Sequence, residues 1–80
     1  MRVKILSFAQ LREALGSVLE LELPEGASVA TLQQALSARF PDLPALDVAR
    51  VAVNRSYVVD PAQPLAASDE IALIPPVSGG

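Results

Sequence analysis

Eighty residues make one domain with a small core, because a chain this short buries only about 60% of the surface its unfolded form exposes. At 51% hydrophobic and 19% charged, the chain is apolar enough to fold, which excludes intrinsic disorder as its main state. Six Lys and Arg against nine Asp and Glu leave a net charge of −3, and the aromatics are Phe8, Phe40 and Tyr57 alone, so neither the basic footprint nor the stacking platform of a nucleic-acid binder is present.

The first predicted element is a strand over residues 2–6 or a little beyond, with Val3 and Ile5 on one face and Arg2 and Lys4 on the other. Residues 7–10 then read as a capping box led by Ser7, with Leu6 and Leu11 placed as a hydrophobic staple. A short helix follows and closes at Gly16 in the C′ position. Residues 18–23 alternate again, Leu19, Leu21 and Leu23 against Glu20 and Glu22, and stop at Pro24. Ser28 caps the next helix, which carries Val29, Leu32, Leu36 and Phe40 at helical spacing and ends at Pro41. Residues 42–47 are loop or one short helical turn. Residues 50–54 form a third strand with Val51 and Val53 inward, and a turn at 54–56 leads to a short return strand over 57–59. A turn at Ser68 and Asp69 then opens a last strand over 70–74. Pro75 and Pro76 end its pairing, because proline has no N–H to give a ladder. Two N-terminal strands, one long helix and later strands added to the same sheet describe an α+β roll, and a β-grasp fold with the helix across a mixed sheet fits it.

What the chain lacks limits its chemistry. Without Cys it has no disulfide, no thiolate nucleophile and no Cys-ligated metal. Without His it lacks the usual general base near pH 7 and the commonest metal ligand. A self-sufficient hydrolase, redox enzyme or metalloenzyme is not expected, and no metal site or bound cofactor is. The apolar stretch at the N-terminus is too short and too charged for a signal peptide, and no run approaches the ~20 apolar residues of a membrane helix. The expectation is a cytoplasmic protein with no membrane partner.

The C-terminus carries the sharpest signal. The diproline Pro75-Pro76 is followed by Val77, Ser78, Gly79 and Gly80. Glycine adds no side chain and permits any backbone conformation, so such a tail can thread a narrow channel and deliver its α-carboxylate into another protein's site. The division expected is a body over residues 1–76 and a flexible tail over 77–80.

Three stretches carry a resemblance: Phe8-Ala9-Gln10-Leu11-Arg12-Glu13 after the first strand, Val53-Asn54 in the middle, and residues 69–80 ending in Pro-Pro-Val-Ser-Gly-Gly. Over nearly its whole length the chain resembles the small subunits of molybdopterin synthase, the MoaD-type ubiquitin-like sulfur carriers of molybdenum cofactor biosynthesis. The resemblance implies that an E1-like adenylyltransferase activates the Gly80 carboxylate with ATP and that a sulfur donor converts the adenylate to a thiocarboxylate. It also implies that the tail, Pro75 to Gly80, enters the large subunit and gives sulfur to cyclic pyranopterin monophosphate, in a heterotetramer of two small and two large subunits. The small subunit then has no catalytic machinery of its own and serves as the sulfur-donating part of a sulfurtransferase. Chemistry agrees: a protein without Cys has no persulfide site, which leaves the chain terminus to hold the sulfur.

Strand parity gives a docking face. Ile74 shares parity with Glu70 and Ala72, and Leu6 and Phe8 share it with Arg2 and Lys4, so these apolar residues point outward. The resemblance implies that Phe8 and Ile74 contact the large subunit and that Tyr57 lies near a third bulky contact. Ile74 and Ser7 are smaller or more polar than the aromatics the family often has there. Arg12 shares the helix motif and is expected either to pair with an acidic group on a partner or to stay solvated beside Glu13. Asp69 and Glu70 read as a turn, and Arg50 and Arg55 as solvent-facing charges without a role. The alternatives are a carrier of the thiamine or tRNA-thiolation type, which the Pro-Pro-Val-Ser tail and the Phe-Ala-Gln-Leu-Arg-Glu helix argue against, a ubiquitin-like modifier that conjugates to lysines, and an interaction module with an inert tail.

Overall fold

The computed structural model describes residues 1–75. Within them the chain forms β1 (Arg2–Ser7), α1 (Ala9–Leu15), β2 (Val18–Glu22), α2 (Val29–Arg39), α3 (Ala45–Val48), β3 (Arg50–Val53), β4 (Ser56–Tyr57) and β5 (Ile71–Ile74). The sheet runs β2-β1-β5-β3-β4. Only the central β1/β5 pair is parallel, so the sheet is mixed. This is the β-grasp arrangement that the order of elements suggests.

The period-2 pattern sorts each strand by face. In β1 and β2, Val3 stands opposite Leu21 and Ile5 opposite Leu19, all four turned into the core. On the other face Arg2 opposes Glu22 and Lys4 opposes Glu20. The ion pairs of Arg2 with Glu20 (3.9 Å) and Glu22 (3.6 Å) are exposed and contribute at most about 1 kcal/mol each. Fully burying one Leu or Ile is worth about 1.5–3 kcal/mol, so the inner face decides the register. Leu11 and Leu15 of α1, Leu32 and Leu36 of α2, and Ile71 and Leu73 of β5 complete one continuous cluster. The core thus takes residues from α1 as well as from the longer α2.

Ser28 caps α2 as expected, and Thr31 returns the bond in a capping box. The first helical N–H groups are met from elsewhere: Val29 donates to the Gln63 carbonyl (3.0 Å) and Ala30 to that of Pro61 (2.9 Å). These bonds hold the proline-containing loop against the helix and let Leu65 plug the core.

Three expectations change. Ser7 does not cap α1. It is the last residue of β1, its N–H donates to the Ser17 carbonyl, and it pairs with Leu73 in β5. Parity with Val3 and Ile5 turns its side chain inward, where Oγ has no hydrogen-bond partner among the described residues. Phe8 takes the N-cap position with no side-chain bond, and Leu6 lies on the opposite face, so the staple with Leu11 does not form. The return strand is shorter and one residue earlier than expected, because Asn54 and Arg55 (φ 52° and 71°) make a tight two-residue hairpin turn. The last strand starts at Ile71, since Glu70 is engaged by the Asn54 side chain.

Candidate functional site

All the helical leucines of the core pack against one face of the sheet. The opposite face is open, and register assembles a site there. One row across it reads Val18, Leu6, Ala72, Ala52, Tyr57, each opposite its neighbour in the ladders. Toward the C-terminal end of β5 a second row begins with Arg50, which stands opposite Ile74. Phe8 follows Ser7, the partner of Leu73, and so lies on the other flank of Ile74.

Leu6, Phe8, Ala52, Tyr57, Ala72 and Ile74 thereby line a groove of about 320 Å³, closed at its far end by Arg55 and Glu70. Phe8 and Tyr57 are its raised walls, 47% and 49% exposed although both are large and apolar. The small residues Ala52 and Ala72 make the floor. A second concavity of about 510 Å³ continues past Leu6 and Glu70 to Arg2, Lys4 and the 67–69 turn. An apolar surface of this kind, bounded by polar groups, is a candidate interaction site.

Charge is placed only at the ends of the groove. Arg55 Nε lies 3.6 Å from Glu70 Oε1, so that end is close to neutral. At the other end the Arg50 guanidinium lies 3.9 Å over the Tyr57 ring. The chain leaves the groove at Ile74 and Pro75, between the walls formed by Phe8 and Tyr57.

Phe8, Ile74 and Leu6 are brought together on the open face as strand parity anticipates, and Tyr57, which the resemblance placed near them, lines the same groove. Arg12 is exposed on α1 and does not line the groove. The parts of Arg50 and Arg55 went unread in the sequence. The signal for Arg50 was its parity with Ala52, which puts it on the open face; that Tyr57 lies beneath it depends on the hairpin register. Among the described residues, no three His, Cys, Asp or Glu side chains are grouped to hold a metal ion, and no helix is long and apolar enough to cross a membrane. Pro76, Val77, Ser78, Gly79 and Gly80 lie outside the described residues.

A family model described as the ThiS family matches residues 5–80. The chain belongs to the ThiS family. Among curated relatives of this ThiS-family chain, the molybdopterin synthase sulfur carrier subunit of Dictyostelium discoideum is 38% identical over 82 residues, covering 96% of the chain and 94% of the relative. The small archaeal modifier protein 1 of Haloferax volcanii superposes with a TM-score of 0.78 at 27% identity, over 95% of this chain and 98% of that one. A protein–protein complex of subunits 1 and 2 of the molybdopterin-converting factor from Helicobacter pylori contains a chain similar at a TM-score of 0.75 and 25% identity, each chain covered in full. The β-grasp body is thus that of a ThiS-family chain.

Proposed function

We propose that this chain is the sulfur-carrier small subunit of a molybdopterin synthase, with the Gly80 carboxylate as its reacting group. The observation that carries the reading is the 38% identity to sulfur carrier subunits over almost the full chain. The groove at the root of the tail supports it. The body is a handle: its apolar groove docks on the large subunit, and the strand that floors the groove runs directly into Pro75 and the tail. Phe8, Tyr57 and Ile74 make that contact, and Pro75, Pro76, Val77, Ser78 and Gly79 thread the channel.

A carboxylate resists sulfur because its carbon is electron-rich and its oxygen is a poor leaving group. An E1-like enzyme attaches the Gly80 carboxylate to AMP, with pyrophosphate leaving. A sulfur donor then displaces AMP, and the product is a thiocarboxylate. Its sulfur attacks a carbon of the pyranopterin substrate in the large subunit, where the bases and cations of the reaction reside, and expels an oxygen leaving group. Water then cleaves the acyl–sulfur bond of the resulting thioester, which leaves the sulfur on the pterin and returns the Gly80 carboxylate. ATP belongs to the activating enzyme, and nothing but the covalent sulfur is carried. Two small and two large subunits make the assembly.

Intact-mass measurement after incubation with the activating enzyme, ATP and a sulfur donor tests this directly. Oxygen replaced by sulfur at the terminus is expected, and so is loss of sulfur transfer on deletion of Gly80 with no change in melting temperature. Equal activity of a chain whose terminus is blocked as an amide would overturn it. The likeness to a small archaeal modifier protein favours conjugation to lysine as a second reading. Recovery of Gly80 in isopeptide linkage from cells distinguishes it.

A further inference from the structure

We propose that Arg50 is the charged anchor of the groove and pairs with a carboxylate of the large subunit beside the point where the tail leaves the sheet. The inference rests on the docking role of the groove.

Three observations carry it. The first is position: Arg50 stands opposite Ile74 in the ladder and its guanidinium lies over Tyr57, so it borders the tail end of the groove from just outside the lining. The second is geometry. Its guanidinium lies 3.9 Å over the Tyr57 ring. A planar guanidinium stacked on a ring is held in place through its face, while its N–H donors, which lie in the plane, remain directed to the sides for a bidentate bond. Stacking thus pre-orders a long side chain before any partner arrives.

The third is the use of charge across the described residues. Arg2 pairs with Glu20 and Glu22, and Arg55 with Glu70. The Arg39 guanidinium donates to the Glu20 carbonyl. Lys4, Arg12 and Arg50 form no ion pair among the described residues, and of the three Arg50 is the one stacked on a wall of the groove. On a chain of net charge −3, an acidic partner surface is repelled in general. A single acidic side chain is welcome at Arg50, whereas the opposite end of the groove is already neutralised by Arg55 and Glu70. Such a contact fixes which way round the groove docks, and with it the direction in which the tail is presented.

The test is titration calorimetry of the full-length chain against the large subunit at low and high salt. Arg50→Glu is expected to weaken binding about tenfold or more, and Arg50→Met, which keeps the apolar stem over Tyr57, several-fold. The salt dependence of the wild-type affinity should flatten in Arg50→Met. Arg50→Lys should restore part of it, since a lysine keeps the charge and loses the bidentate fork. Melting temperatures separate a folding defect from a binding defect, and Arg50→Met carries the test if Arg50→Glu does not fold. Wild-type affinity and salt dependence in Arg50→Met overturn the proposal even if Arg50→Glu is weak, because a reversed charge repels without any native pair. Phe8→Asp measured in parallel keeps the two readings apart: if it also binds normally, the docking role of the groove fails, and if it alone is weakened, only the Arg50 pairing fails.

Discussion

The side-chain amide of Asn54 bridges two turns: its Nδ2 donates to Asp69 Oδ1 over 3.1 Å, and its Oδ1 accepts the Glu70 N–H over 2.9 Å. The other Asp69 oxygen accepts the Ala66 N–H at 2.8 Å, and the Asn54 N–H donates to the Glu70 carbonyl at 2.7 Å. The β3–β4 hairpin is thereby tied to the segment that launches β5, the strand that ends at the tail. Val53-Asn54, a mark of family resemblance in the sequence, has this structural reason.

Asn54 variants separate the clamp from the backbone. Asn54 has φ 52°, a conformation open to Asn and Gly and costly for Ala. Asn54→Gly should lose about 1 kcal/mol, the worth of exposed hydrogen bonds. Asn54→Ala should lose about 1 kcal/mol more, from left-handed strain. Urea unfolding of both variants measures the difference, and equal losses would show that the backbone conformation costs nothing.

Arg55 follows in the same turn at φ 71°, where an L residue is strained. A turn with two positive φ angles favours glycine at its second central position. Arg55→Gly removes an exposed ion pair with Glu70 worth under about 1 kcal/mol. It relieves left-handed strain of about 1–2 kcal/mol. The strain is the larger effect, so the variant should melt higher, as read by calorimetry.

Ser7 is buried, and its hydroxyl has no hydrogen-bond partner among the described residues. An unsatisfied buried polar group costs about 1–3 kcal/mol. Ser7→Ala should therefore stabilise the fold, and a gain of about 1 kcal/mol in a domain of this size raises the melting temperature by roughly 4–8 °C. A drop instead would show that the hydroxyl is bonded in solution.

The Met1 ammonium lies 3.1 Å from Glu22 and 3.4 Å from Glu25 and donates to the Leu23 carbonyl. Its hydrogen bond to Glu22 raises its pKa above the ordinary 8.0, and the same bond lowers that of Glu22 below 4.5. The stabilisation from the raised group is complete below pH 8.0 and lost as pH climbs through the higher folded-state value. That from Glu22 is complete above pH 4.5 and lost as pH falls through its lowered value. Urea midpoints across pH should show a plateau between those limits, and Glu22→Gln should blunt the decline on both sides.

Alternation in β1, β2 and β3 was enough to tell Val3, Ile5, Leu19, Leu21, Val51 and Val53 from the outward set, because a pleated strand has only two faces and one of them is buried. The outward apolar residues Leu6, Phe8 and Ile74 were legible by the same rule. Local rules failed at Ser7, where a capping pattern competed with a strand already paired on both sides and the ladder won. The resemblance offered Arg12 either an acidic partner group or solvent, and the structure leaves it exposed on α1, outside the groove lining.

By itself the sequence excluded a Cys or His centre, which follows from composition in any fold, and made the terminus the expected place for sulfur. It also determined the faces of the alternating residues in β1, β2 and β3, Ser7 excepted. Only the tertiary structure decided which strands are neighbours. A period of two carries no information about partners across a sheet, so the parallel seating of β5 beside β1, which turns scattered apolar residues into one groove, and the hairpin register that slides Tyr57 under Arg50 come from the packing of the whole chain.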